Sequence, residues 1–314
     1  MPRFQLGSSV RRLSAEDLGL GFTTTAQESN RAASTPDAPV IDESDPEIQE
    51  IMDLLLAYSG VLLSGPPGTS KSYLAKEVAQ VISEGDPHRM AATQFHASYQ
   101  YEDFMEGYRP TPDGGFEPRS GVFLELCERA SGDLGHRYVI VIDELSRGDA
   151  ARVFGEALTY IERSKRGMTF RLPSGREGVV PPNVDIIATM NPVDRGVDEV
   201  DGAFERRFAK RTMAPDPDRL AARLRQNGIT DALVERLTAW FKDINGQGPQ
   251  AQMGHAYFWD VTDKDSLQAL WEYQIKHHVE RAFRYDDSTR QRLTNKWYDI
   301  FDVPVSVGDD EDDA

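Results

Sequence analysis

Residues 61–82 read VLLSGPPGTSKSYLAKEVAQVI, and no other stretch constrains the fold as tightly. A short apolar run enters a loop rich in glycine and proline. A helical pattern follows, with Leu74, Val78, Val81 and Ile82 on one face. A buried strand feeding a helix through such a loop is the context of a phosphate-binding loop. The pattern G-x-x-x-x-G-K-[ST] is met except at Ser70, which stands where glycine precedes the lysine. In such loops the backbone N–H groups and the helix N-terminus hold phosphate oxygens. Residues Gly65, Pro66, Pro67, Gly68, Thr69, Ser70, Lys71, Ser72 and Tyr73 are therefore the candidate nucleotide-binding segment. Lys71 is expected to reach the β- and γ-phosphates, and Ser72 to hold Mg²⁺ through its hydroxyl. A chance turn before a helix is the plainer alternative. The Lys71-Ser72 pair behind a buried strand weighs against it.

Three further segments fit the same chemistry. YVIVIDEL (138–145) is a strand ending in Asp143 and Glu144. Adjacent carboxylates at the tip of a buried strand are costly unless a cation or water chemistry uses them. Asp143 would orient Mg²⁺ and Glu144 would polarise an attacking water. DIIATMNPVDR (185–195) is another apolar strand, tipped by Asn191, whose amide could position water without adding charge. A plain strand–turn signal from Asn-Pro is equally compatible with it. FERRF (204–208) offers Arg206 and Arg207 either as anchors of a helix end or as a finger toward a neighbouring subunit.

Around these segments the periodicity alternates. A helix is expected from Asp45-Pro46, with Ile48, Ile51, Met52 and Leu55 at helical spacing, and strand-like runs at 91–96, 138–142 and 184–190. Alternation of this kind implies an α/β core, a parallel sheet sandwiched by helices. From about Asp216 only helical stripes remain: Leu233, Leu237, Trp240 and Phe241, then Leu267, Leu270, Trp271, Ile275 and Val279. The expected organisation is a flexible arm at 1–44, a nucleotide-binding core at 45–215, a small all-helical domain at 216–300 and an acidic tail at 301–314.

Composition narrows the partners. The formal net charge of −17 argues against a surface broadly built to bind nucleic acid. The basic exception is RSKRGMTFRLPSGR (163–176), and residues 168–180 read as a hairpin. Cys127 is the single cysteine, so no internal disulfide forms, and its apolar helical neighbours Val122, Phe123 and Leu126 mark it as core. No secretory signal opens the sequence and no apolar run is long enough to span a bilayer. A reducing, cytoplasmic location is expected. No Cys/His metal spacing and no Ser-His-Asp arrangement is present.

Taken in order, these segments resemble the AAA+ ATPases. Four blocks look like the McrB branch, which is related to the MoxR-type ATPases: FHASYQYEDFMEGYRP (95–110), VIDELSRGDAARVFGEALTYIE (141–162), IIATMNPVDR (186–195) and MGHAYF (253–258). The resemblance covers roughly residues 45–285. It implies an AAA+ P-loop NTPase core followed by a helical lid domain, and a ring, usually a hexamer, whose active sites are shared between neighbours. It implies Lys71 and Ser72 as the phosphate loop pair, Asp143 and Glu144 as the magnesium and catalytic carboxylates, and Asn191 as the first sensor. Asn191 and Asp194 match a signature associated with guanine nucleotides. The arginine finger falls on Arg206 or Arg207, Arg147 matches a residue at the subunit interface, and His255 lies in the lid block facing the nucleotide. The hairpin would face a central pore, with Arg171 and Arg176 lining a channel for DNA or for a partner's polypeptide. A solvated surface hairpin is the alternative.

Three functions compete. The first is a ring-forming, Mg²⁺-dependent hydrolase of ATP or GTP that drives a partner protein, in a defence setting a nuclease. The second is a MoxR-like remodelling ATPase without nucleic acid. The third is a nucleotide-gated scaffold with little hydrolysis. The 44 residues ahead of the core are short for a DNA-reading domain, so a restriction activity is not expected to carry over intact.

Overall fold

The computed structural model describes residues 45–192 and 202–301. In chain order the elements are α1 (Pro46–Ala57), β1 (Gly60–Ser64), α2 (Lys71–Ile82), β2 (Met90–Gln94), α3 (Tyr101–Phe104), β3 (Glu106–Pro110), β4 (Phe116–Ser120), α4 (Val122–Ser131) and β5 (Tyr138–Asp143). Then come α5 (Ala150–Phe154), α6 (Ala157–Tyr160), β6 (Thr169–Arg171), β7 (Glu177–Val179), β8 (Val184–Met190), α7 (Gly202–Glu205) and β9 (Phe208–Thr212). Helices α8 (Pro217–Gln226), α9 (Asp231–Asn245), α10 (Lys264–Leu270), α11 (Lys276–Ala282) and α12 (Asp287–Asp299) complete the chain, with a π-helical turn at Trp271–Ile275.

The sheet has the order β2-β5-β8-β1-β9, and every pairing in it is parallel. Side chains alternate between its faces, as a period of two requires. Leu62, Ile140, Ile142, Ile186 and Ala188 enter one core with Phe104, Phe123 and Phe154. Val61, Leu63, Val139, Val141 and Ile187 enter the other, against α1 and α2. Burial on both faces is why these strands read as continuous apolar runs. Each fully buried aliphatic side chain contributes about 1.5–3 kcal/mol.

Local chemistry sets the ends. Asp45 caps α1 by accepting from the Glu47 N–H at 2.7 Å, and Pro46 at the first turn needs no hydrogen-bond partner. Two small antiparallel ribbons flank the sheet, β3–β4 and β6–β7. The β6–β7 ribbon matches the hairpin expected at 168–180. The β3–β4 ribbon and the edge strand β9 were not anticipated. From α8 onward the described residues are helical, around a core in which Trp271 stacks on Trp297 with ring centroids 4.7 Å apart.

Candidate functional site

The loop leaves the C-terminal end of β1 and delivers Lys71 to the first position of α2. The Lys71 ammonium donates to the carbonyls of Gly65 at 2.9 Å and Pro66 at 2.8 Å, and the Thr69 hydroxyl donates to Pro66 at 2.9 Å. The loop is thus closed around the lysine by its own backbone. Ser70 holds φ 62° and ψ 21°, the left-handed region. That conformation costs a residue with a Cβ roughly 1–2 kcal/mol, which is why the pattern ordinarily carries glycine there.

The carboxylates meet the loop through strand order. β8 lies between β5 and β1, so the tips of all three strands share one edge of the sheet, where ligands of open parallel sheets bind. The Ser72 hydroxyl donates to Asp143 Oδ1 at 2.7 Å. Thr189, on β8 and 1 % exposed, also donates to Asp143 Oδ1, while its own oxygen accepts from the Glu144 N–H at 3.2 Å. Glu144 sits at φ 54°, a conformation uncommon outside glycine and frequent at functional sites. Its carboxylate is held by Arg147, Nε to Oε2 at 3.0 Å. Asn191 follows β8 and is buried, and the Met190 carbonyl just before it accepts from the Gly65 N–H at 3.3 Å. Thr189 was not singled out in the sequence. A lone hydroxyl in the apolar run IIATM was its signal.

Hard oxygen donors are what Mg²⁺ takes. Ser72 and Asp143 supply one hydroxyl and one carboxylate oxygen in contact, and that donor set fits an ion completed by phosphate oxygens and water. Among the described residues no three acidic, histidine or cysteine side chains gather as a dedicated cage.

The helical half closes over the loop. His255 is 4 % exposed, and its Nε2 lies 3.3 Å from the Ser70 hydroxyl. Burial, helped by the charge of Arg219, pushes its pKa below the ordinary value, so the ring is neutral near pH 7. Two cavities share His255 as a wall. One, of about 270 Å³, is lined among others by Ser70, Tyr73, Glu77, Arg223 and Trp259. The other, of about 260 Å³, lies against Glu47, Thr69, Arg211, Asp216 and Arg219. Glu47 of α1 accepts from Arg211 of β9 at 2.8 Å within the core, and ties the core to the helical half by accepting from Arg219 of α8. Glu47, Arg219 and Trp259 were also missed, since nothing in their local sequence marks them as neighbours of the loop.

Residues 60–208 match the family model described as AAA domain (dynein-related subfamily). The Type IV methyl-directed restriction enzyme EcoKMcrB subunit of Escherichia coli (strain K12) is 31% identical over 272 residues, 79% of this chain and 59% of that protein. The chain is thus similar to AAA+ P-loop NTPases, and to the McrB-like branch among them. The Type II restriction enzyme BsuMI component YdiS of Bacillus subtilis (strain 168) is 29% identical over 189 residues, 47% of this chain and 55% of that protein. The chain therefore spans a little over half the length of each relative.

In the structure the two candidate finger residues part company. Arg206 is exposed, whereas the Arg207 side chain is 11% exposed and lies 3.6 Å from Glu162. The two hairpin arginines also differ. Arg171 is exposed, while Arg176 reaches Glu106 at 3.2 Å and Glu128 at 2.8 Å. The Glu106 carboxylate, itself buried, also accepts from the N–H and hydroxyl of Ser174, so the tip of β6–β7 is pinned to β3–β4. Cys127 is buried in the core, as expected. Asp194, the arm at 1–44 and the tail beyond 301 lie outside the described residues. No helix among the described residues is long and apolar enough to cross a membrane.

Proposed function

We propose that this chain hydrolyses a nucleoside triphosphate, ATP or GTP, with Mg²⁺, in a ring of copies that drives a partner protein, a nuclease in a DNA-defence setting. The observation that carries the reading is the junction at Thr189. Its hydroxyl fixes Asp143, which contacts Ser72 of the loop, and the same oxygen fixes the backbone of Glu144. Phosphate loop, metal carboxylate and water-polarising carboxylate are thereby held in one frame.

In this reading the loop amides and Lys71 hold the phosphate oxygens. Ser72 and Asp143 are the residues that would hold Mg²⁺, and the ion would supply charge that neutralises the phosphates. Glu144 takes the proton of the attacking water as its oxygen bonds to the γ-phosphorus, the bond from that phosphorus to the β–γ bridging oxygen breaks, and the nucleoside diphosphate leaves with phosphate as the other product. Arg147 holds Glu144 in place until substrate arrives. Asn191 orients the water. Arg206, the exposed member of the pair, reaches the γ-phosphate of the next copy in the ring, for which a hexamer is the natural size. The pore-facing role falls to Arg171, because Arg176 is engaged by Glu106 and Glu128. The partner reading is supported by the two relatives, both named as parts of restriction enzymes. The buried, single Cys127 fits a cytoplasmic location.

A mixing experiment tests the shared site. Glu144→Gln and Arg206→Ala proteins are each expected to be inactive alone. Mixed, they should regain part of the wild-type turnover, because some sites then combine an intact Glu144 with a neighbour's intact Arg206. No recovery on mixing, with both variants still assembling, would refute the shared site.

A further inference from the structure

The lid and the phosphate loop are bonded backbone to backbone. We propose that this contact is a latch: the seating of Met253–Tyr257 on the loop sets how long nucleotide stays bound, with Ser70 and His255 as its positioning pair. The proposal rests on the reading of the loop as a nucleotide site.

The Gly254 N–H donates to the Pro67 carbonyl at 2.8 Å, and the Ala256 N–H donates to the Gly68 carbonyl at 2.9 Å. Peptide planarity gives these bonds a consequence. In a trans peptide the N–H points opposite to the C=O. Holding the carbonyls of Pro67 and Gly68 toward the lid turns the N–H groups of Gly68 and Thr69 away from it, to the side on which a phosphate loop takes its anion. The lid thus sets the aim of two phosphate-binding donors without touching phosphate itself.

The fit allows little sliding. A Cβ on Gly254 would fall 1.9 Å from the Gly68 carbonyl carbon, and a Cβ on Gly68 would fall 2.6 Å from the Tyr257 ring. Only glycine facing glycine permits the approach. Ser70 adds a side-chain tie, its hydroxyl 3.3 Å from His255 Nε2. This accounts for a serine at a left-handed position that glycine would occupy with less strain. His255 Nδ1 is buried with no hydrogen-bond partner among the described residues, at the wall common to both cavities. The imidazole therefore bridges loop and cavity, and a lid that lifts away breaks the tie and both backbone bonds together.

The test uses the full chain and the fluorescent nucleotides mant-ATP and mant-GTP, with release followed by stopped flow. Amide hydrogen exchange at Gly254 and Ala256 is read in parallel. Ser70→Gly and His255→Ala are each expected to release nucleotide roughly five- to tenfold faster, the scale of one lost hydrogen bond. The double variant should be no faster than His255→Ala alone, and His255→Gln should recover part of the loss. Gly254 and Ala256 should exchange faster in every variant that releases faster. If Ser70 merely fills the loop, Ser70→Gly removes strain and releases at the wild-type rate or more slowly, with exchange unchanged; that result overturns the latch. Wild-type protein that binds neither nucleotide removes the nucleotide reading as well, whereas wild-type binding with unaltered variants removes the latch alone.

Discussion

The hydroxyl of Ser72 and the carboxylate of Asp143 are separated by 71 residues of sequence and by 2.7 Å in space. Neither residue is unusual for its element. One opens a helix after a glycine loop, the other ends an apolar strand. Their meeting depends on β8 lying between β1 and β5, which brings Thr189 against Asp143 from the next strand.

Thr189 is accordingly expected to matter for turnover although it touches no substrate in this account. Thr189→Val keeps the shape and removes a hydroxyl that serves two partners. Stability should fall by about 1–2 kcal/mol, from a lost donor to Asp143 and an unmet Glu144 N–H. Turnover should fall roughly tenfold as Glu144 loses its register, at one RT-scaled decade per 1.4 kcal/mol. Thermal melts and steady-state kinetics check both, and a variant with wild-type turnover would show that Thr189 is only packing.

Glu106 makes a separate claim about the hairpins. Its buried carboxylate accepts from Ser174 and Arg176, so Glu106→Ala leaves these donors unmet. Because Arg176 is partly exposed, the cost is discounted to about 2 kcal/mol. The specific sign is local: trypsin should cut after Arg171 or Arg176 faster in the variant than in wild type. Equal cleavage rates would mean that the ribbon is held by other contacts.

Arg206 and Arg207 are predicted to separate by readout. Arg207→Ala should lower the melting temperature, since it removes a mostly buried side chain paired with Glu162, and should leave assembled turnover near wild type. Arg206→Ala should melt like wild type and lose turnover by roughly 10³-fold, the scale of a missing arginine finger. The opposite pattern would exchange the two roles.

Much of the core was legible because it is written in two periods. Continuous apolar runs marked β5 and β8, and the glycine loop between a strand and a helix marked β1 and α2. The stripe Leu237, Trp240, Phe241 and the stripe Leu267, Trp271, Ile275, Val279 do meet in one helical core. Strand β2 spans 90–94 and ends two residues before the expected limit, where Phe95 turns into the aromatic cluster with Tyr99 and Phe104. The edge strand β9 stayed hidden because FAKRT carries two charges and one of its sides faces no strand. The β3–β4 ribbon stayed hidden because its burial is slight, so no alternation of apolar residues announces it. At the site, motif residues were visible one by one. What could not be read was the company they keep: Thr189 under Asp143, Glu47 with Arg219, Gly254 on Gly68. Such contacts join segments far apart in the chain and leave no local pattern.

Acid sensitivity follows from two buried imidazoles. Burial lowers the pKa of both His255 and His278 below the ordinary 6.5, the latter despite its hydrogen bond to the Ala251 carbonyl. Above 6.5 both are neutral folded or unfolded, and pH has no effect through them. Below it the unfolded chain binds protons that the folded chain resists, so stability falls as pH drops from about 6.5 toward 5. Denaturant melts across that window should show the loss, and His278→Gln should flatten part of it. A wild-type midpoint that does not move between pH 7 and 5.5 would count against neutral buried rings.

The most direct measurement is steady-state phosphate release with Mg²⁺, given ATP and GTP separately, for wild type and Glu144→Gln purified side by side. Wild type should release phosphate from at least one of the two, and Glu144→Gln should be slower by roughly 100-fold or more while still binding nucleotide. Equal rates in the two proteins, or nucleotide bound by wild type and never hydrolysed, would contradict the assignment of Glu144 as the residue that activates water.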